Sequence, residues 1–464
     1  MTEKPREAGL GLALIPVVFL VAALFVTIVL LEQPPHIPLI LAAGVAAALA
    51  VYLKYSWKYI QDGMVHGITL AMGAILILMV VGIMIGTWIS GGIVPAMIYY
   101  GLQALSPGIF LGATMIICSI ISLGTGSSWS TAGTVGVALI GVGQGLGVPV
   151  AMVAGAIISG AYFGDKMSPL SDTTNLAPAV AGTDLFSHIR HMLYTAVPAY
   201  IIALIVFGFL GARFSGGVLE SQNIDVMLST INTEFFIHPV LLLPPVLVIV
   251  MVVLKVPPLP ALLGGAGIGG IFAMIFQSRS LGAVIESAQI GYVSKSGVIM
   301  VDDLLTRGGL MSMMETVALI ICALSFGGIM ERTGMLKVLA AALLKRVRRT
   351  GSLVATTIFS CMGMNVIAAD QYIAIVVPGR MFKSAYDAKK LHPKNLSRAL
   401  ESSGTMTSPL IPWNSCGAFM WATLGVNPLI YLPYAFFNLF VPVISLFYGY
   451  TGITMDKTED PGKE

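Results

Sequence analysis

Three aspartates stand where an apolar chain should not carry charge. Asp165 and Asp172 lie in Gly164-Asp165-Lys166-Met167-Ser168-Pro169-Leu170-Ser171-Asp172-Thr173-Thr174-Asn175, and Asp370 lies five residues after Asn365 between two apolar runs. A carboxylate inside a bilayer costs on the order of 2.5 to 3.5 kcal/mol even on the lenient insertion scale, so each needs a reason to be there. Around them the sequence offers Ser127, Ser128, Ser168, Ser171, Thr173, Thr174, Asn175, Asn365, Ser408, Asn414 and Ser415. This is an oxygen-rich set, and hard cations such as sodium prefer oxygen ligands, including carbonyls freed where helices unwind. The sodium candidates are Asp172, Asp370, Asn175 and Asn414. A carboxylate taken out of water can hold either a proton or, once deprotonated, a cation. If the protein reorients only when one or the other neutralises the site, sodium and protons must move in opposite directions. The structural alternative is that these groups merely satisfy one another and the broken backbone. The cost of burying charge favours function for Asp172 and Asp370. For Asp165 the two readings balance, because adjacent Lys166 could pair with it.

Other patterns carry less. Eight glycines between Gly124 and Gly147 lack the strand and soluble βαβ unit that a dinucleotide fingerprint requires, and they suit close helix packing instead. His188-Ile189-Arg190-His191 lacks the glutamate of a zinc helix and reads as a cytoplasmic loop. His66 reads as core. Cys118, Cys322, Cys361 and Cys416 are too far apart for a zinc or redox pair and read as small core residues. No nucleophile, base and orienting group come together, so an enzyme is not expected, and no cofactor beyond transported or coupling Na+ is called for.

The elements that position these residues must be membrane helices. Of 464 residues, 56% are hydrophobic and 10% charged, against about 25% charged in a soluble protein. The net charge of +3 is too small to suggest nucleic acid. Apolar runs at 12–31, 38–56, 65–87, 193–211, 238–254, 258–277, 311–330 and 429–450 each suit one crossing of about 20 residues. Cationic flanks on both sides of 351–379 leave too little chain for two crossings, which predicts a re-entrant hairpin. The stretch 108–147, broken at Gly124-Thr125-Gly126-Ser127-Ser128, predicts a second hairpin from the opposite side. Residues 149–182 and 396–425 predict crossings interrupted by Pro and Gly. With the amino terminus inside, ten crossings and two hairpins place both termini in the cytoplasm and 20 of the 25 Lys and Arg residues inside. The 331–349 region reads as an amphipathic helix on the inner surface.

The two interrupted crossings share Gly-x-x-x-Ser-Pro-Leu, at Gly164 and Gly404, 240 residues apart. Upstream, Gly63–Met84 aligns with Gly309–Met330 at an offset of 246, with six identities in 22 positions. The first begins inside and the second outside, the pattern of inverted repeats whose substrate site lies where broken helices meet. The chain divides into N-terminal spans (1–60), a first repeat (61–211), a linking segment (212–304), a second repeat (305–450) and a cytoplasmic tail (451–464). The fold class is therefore an all-α polytopic membrane protein with an inverted repeat, two re-entrant hairpins and two broken helices.

The string from Gly124 to Thr134, the string from Gly164 to Asn175, Ala181-Gly182-Thr183-Asp184, and Ser402 to Asn414 closely resemble the NhaC family of sodium/proton antiporters. The resemblance covers most of the chain beyond the first two spans. It implies an elevator-type secondary transporter of the cell (inner) membrane, usually a homodimer, exchanging Na+ for H+. Members similar in sequence exchange sodium-lactate for malate and protons, or carry amino acids with sodium. A sodium-coupled carrier of a small organic anion or amino acid is thus the alternative. The absence of an arginine from either break leans toward ions alone. The expected partners are the lipid bilayer, Na+ and H+.

Overall fold

The computed structural model describes residues 6–31, 33–214, 218–254, 256–344, 347 and 349–458. Lys4, Lys345, Arg346, Arg348 and the end of the 451–464 tail lie outside the described residues. Among the described residues the chain is helical, and extended pairing is confined to two single bridges, Tyr292 with Arg307 and Leu391 with Lys457. Among the described residues, seven helices are long and apolar enough to cross a membrane. The count reaches nine when two bent pairs are taken as one span each, Ile224–Glu234 with Pro239–Met251 (98°) and Pro428–Tyr434 with Phe436–Thr451 (63°). Large apolar side chains face outward on these helices, Phe209 with 74% of its surface exposed, as a lipid-facing surface requires.

The helices differ from the sequence expectation in instructive ways. Residues 65–87 are not one continuous helix: the helix is interrupted at Ala71, between Trp57–Leu70 and Met72–Ser90. His36–Tyr52 has 17 residues. The hairpin arms are longer than half-helices. Pro107–Thr125 and Thr350–Ile367 both have the length and apolarity of full spans, and Gln371–Ala388 continues well past Gly379. Arg and Lys are good helix formers, so Arg380 and Lys383 extend the second arm instead of ending it. His188 and His191, expected in a loop, sit buried in helix Leu185–Ala212, bonded to Ser397 (2.8 Å) and Asn395 (3.1 Å). His66 is exposed rather than core.

Both hairpins turn on a residue with left-handed backbone, Gly126 (φ +66) and Ala369 (φ +58). The next residue, Ser127 or Asp370, caps the helix that follows. The two broken helices also match in form. Val150–Met167 stops at Ser168, where the following proline disfavours helical backbone; ten residues, Asp172–Ala181, then resume between the cap Ser171 and Gly182 (φ +87). In the second, a π turn at Glu401–Thr405 and a short turn at Ser408–Leu410 precede the ten residues Ser415–Leu424, between the cap Asn414 and Gly425 (φ +74). Tyr431 donates to the Pro409 carbonyl and fixes that turn.

Glycines let these helices touch backbone to backbone. A Cβ on Gly160 or Gly164 would fall 2.2 or 2.4 Å from carbonyl oxygens of Met115 and Ser119, so the first hairpin lies directly on the first broken helix. Gly67 meets Leu324 and Gly328 in the same way. Small residues are what permits such close approach between membrane helices.

Candidate ion-binding site

The breaks meet around a cavity of about 570 Å³. Four helix N-termini end at its wall: those after Ser127, Ser171, Asp370 and Asn414, of which Ser127, Ser171, Asp172, Asp370, Gln371 and Ser415 line it. Asp165 reaches it from the last turn of Val150–Met167. The opposite wall is apolar, from Leu70 to Ile77 and Val256 to Pro258.

The three aspartates are held differently. Asp165 is buried, and its Oδ2 accepts from the Ser128 backbone N–H (3.1 Å) and hydroxyl (2.7 Å). Asp370 is buried too. Its Oδ1 caps the following helix through Tyr372 N (2.9 Å) and Ile373 N (3.1 Å), while Oδ2 accepts from the Ser415 hydroxyl (3.4 Å) and faces the cavity. Asp172, at the first helical position after Ser171, is exposed to the cavity. Each carboxylate thus sits at or beside a helix N-terminus, where the helix dipole places about half a positive charge.

The structure brings Asp165, Asp172, Asp370, Ser127, Thr173 and Ser415 to one cavity, with Ser128 behind Asp165. The other candidates have other work. Asn414 caps its helix through Cys416 N (3.0 Å) and donates to Asn365 O and Oδ1 (3.1 Å each), while Asn365 donates to Gly404 O (2.7 Å) and Thr407 (2.9 Å). These two amides join the second hairpin to the second break. Asn175 donates to the carbonyls of Pro169 and Ser171, and Thr174 to that of Lys166, so both satisfy carbonyls released by the first break. Ser168 accepts from Leu170 N and Ser408 donates to Thr405 O, turn bonds local to each Ser-Pro-Leu.

Two charged groups matter that the sequence reading did not place. Lys166 is fully buried, its Nζ has no hydrogen bond, and the opposite charge that faces it is Glu401 rather than Asp165. Neighbours in a helix point in different directions, which is why the adjacent pair does not form. Glu401 is also fully buried and accepts from Thr173 (3.1 Å) across the two breaks. It is a carboxylate in the second broken segment, and the burial cost that singled out the aspartates applies equally to it. Trp129, on the first hairpin, stacks on Phe419 of the second half-helix at 4.1 Å and closes the wall.

An all-helical membrane chain whose helices break around an acidic cavity has the architecture of a secondary transporter. The chain belongs to the Na+/H+ antiporter family, whose family model matches residues 160–453. It is 40% identical to the Na(+)/H(+) antiporter NhaC of Alkalihalophilus pseudofirmus, over 98% of each chain. It is also 40% identical to the malate-2H(+)/Na(+)-lactate antiporter of Bacillus subtilis, covering 94% of this chain and 93% of that one. The arginine/ornithine antiporter ArcD of Halobacterium salinarum is 35% identical, over 99% and 96%.

Proposed function

We propose that this protein exchanges Na+ for H+ across the cell membrane, with both termini in the cytoplasm, and that Asp165, Asp172 and Asp370 form the shared site. The observation that carries this is the convergence of three carboxylates on one cavity. Their three negative charges meet four helix N-termini of about half a positive charge each, leaving roughly one negative charge. A sodium ion or a proton cancels that remainder, and the two compete for it. Competition at one site that reorients only when neutralised is sufficient for exchange. Relatives that bear the Na(+)/H(+) antiporter name over nearly the full chain support this reading.

An inverted repeat moving as an elevator is part of the same proposal. Its support is reciprocal contact. In the sequence echo, Gly63 corresponds to Gly309 and Gly82 to Gly328. In the structure Gly63 packs on Gly328 and Gly82 on Gly309, with Gly309 N donating to Gly82 O (2.7 Å). Contacts of i with j and of j with i are what a two-fold axis produces. The hairpin tips and the ten-residue half-helices repeat at a constant 243 residues, from Gly126 to Ala369 and from Asp172 to Ser415. The Ser-Pro-Leu motifs recur at 240 because the second break is three residues longer. A homodimer is expected from the family alone.

A second reading has one observation in its favour. Four helix N-termini and a cavity of about 570 Å³ could receive a carboxylate as well as a cation, since half-helix N-termini bind anionic substrate groups. The malate/lactate and arginine/ornithine antiporters are relatives that carry such solutes by name. One experiment separates the readings: purified protein in liposomes with a trapped pH dye, given a sodium gradient and no organic solute. Proton movement opposite to sodium, reduced at least about tenfold in Asp172→Asn and Asp370→Asn with normal insertion, is the expected result. Asn caps a helix as well as Asp, so Asp370→Asn keeps the fold. Transport only after malate, lactate or an amino acid is added would move the protein to the second reading.

A further inference from the structure

A second cavity, of about 350 Å³, lies on the opposite side of the molecule from the acidic one. Helix Met72–Ser90 contributes Ala74 to the first cavity and Ile85 to the second, eleven residues and roughly 17 Å further along its axis. Helix Ser415–Leu424 likewise begins at the first and ends at the second. In the proposed topology this is the outer side.

Its charge is positive. Arg307 lines it, lying flat on Gly425, whose absent Cβ would be 3.0 Å from Nη1. One of the guanidinium's five N–H donors goes to the Leu424 carbonyl at a long 3.3 Å. None of its nitrogens is both buried and unbonded, and the side chain lines the cavity. Behind it, Arg279 donates to the hydroxyl of Tyr292 (3.2 Å), another lining residue. Among the described residues no carboxylate lies within ion-pair distance of either arginine. The nearby Asp302 is consumed by Ser294, Ser296 and Gly297, from which it accepts four bonds of 2.7 to 3.1 Å.

Thr423 provides the independent sign of a ligand. It lines the cavity, is 2% exposed, and its hydroxyl has no partner. Several other buried hydroxyls are also unpartnered; this one stands in the wall of a cavity beside a guanidinium, where a ligand could partner it. Capping the end of Ser415–Leu424 accounts for one bond of Arg307; it explains neither the orphan hydroxyl nor the cavity, which is of ligand-binding size.

We propose that Arg307 and Thr423 form a binding site for a small oxyanion, in the first place a free carboxylate, separate from the cation site. A guanidinium fork matches a carboxylate or a phosphate oxygen pair, so the source is either a free solute or a lipid headgroup. The site goes beyond Na+/H+ exchange and does not depend on it.

The test is calorimetric titration of purified protein, in detergent free of anionic lipid, with malate, lactate, inorganic phosphate and then phosphatidylglycerol. Saturable binding is expected for at least one carboxylate. It should weaken about tenfold or more in Arg307→Gln and severalfold in Thr423→Val, and persist in Asp370→Asn, in which ion exchange should fall at least about tenfold. Should Arg307→Gln fail to fold, Arg307→Lys retains charge without the fork and should still bind several times more weakly. Binding of phosphatidylglycerol alone, lost in Arg307→Gln, supports the oxyanion site and assigns it to a headgroup. Absence of saturable binding to folded protein overturns the proposal. So does binding that survives Arg307→Gln but is lost in Asp370→Asn, which would belong to the acidic cavity.

Discussion

Lys166 and Glu401 are each sealed from water with a polar atom left unbonded, Nζ on one and Oε2 on the other. The two face each other without a direct bond, and removing either leaves the other's buried charge uncompensated, at a cost of up to about 3 to 5 kcal/mol. Glu401→Gln should therefore lower thermal stability sharply. Combining it with Lys166→Met should recover most of the loss, and thermal melts of wild type and the two variants measure both effects; equal stability of Glu401→Gln and wild type would refute the interaction. At this scale the sequence was partly legible. The three aspartates stood out because a carboxylate in an apolar run is costly wherever it points. Glu401 obeyed the same rule but follows Arg398 closely and merged with the cationic flank of the second hairpin. Asn175, Asn365 and Asn414 looked like ligands by residue type. Their amides both donate and accept, however, and helix breaks release backbone groups that claim them first.

The two hairpin tips use the same backbone with different residues, and substitution should expose the difference. At Gly126 a methyl would be strained by the positive φ and would sit 2.7 Å from the Leu170 backbone, so Gly126→Ala should destabilise by more than about 1 kcal/mol. Ala369 already bears that strain. Ala369→Gly relieves it while losing one buried methyl worth about 0.8 kcal/mol, and should be close to neutral. Unfolding midpoints of the pair decide the matter. Gly and Pro interrupting an apolar run marked both broken helices and the turn at Gly126, and the cationic flanks of 351–379 marked the turn just before Asp370. Arm lengths were not, because Arg380 and Lys383 signal a membrane flank and also favour helix.

Over the whole molecule, residues 452–458 are strapped under the second broken helix. Asp456 pairs with Lys394 at 2.6 Å, its backbone oxygen accepts from His392 N and from Asn395, and Arg398 donates to Thr454. The bond from Lys394 holds the Asp456 carboxyl below its ordinary range. A lowered folded value means the anchor is complete at neutral pH and is lost as pH falls below about 4. Limited proteolysis should thus release the segment after Thr451 at acidic pH, and at every pH in Asp456→Asn; cleavage independent of pH would refute the anchor. This strap could not be read from sequence, since it joins residues some sixty positions apart by backbone as much as by side chain. The Lys166 and Glu401 charges have one more consequence. They cancel each other beside the acidic cavity, so in the proposed exchange the two together add nothing to the work that a voltage across the bilayer does. At a pH low enough for Lys166 to stay protonated, Glu401→Gln leaves an uncancelled cation there. Any passage of the cavity through the full field would then gain or lose about 2.3 kcal/mol per 100 mV, and transport by the variant would acquire a dependence on membrane potential that the wild-type pairing removes.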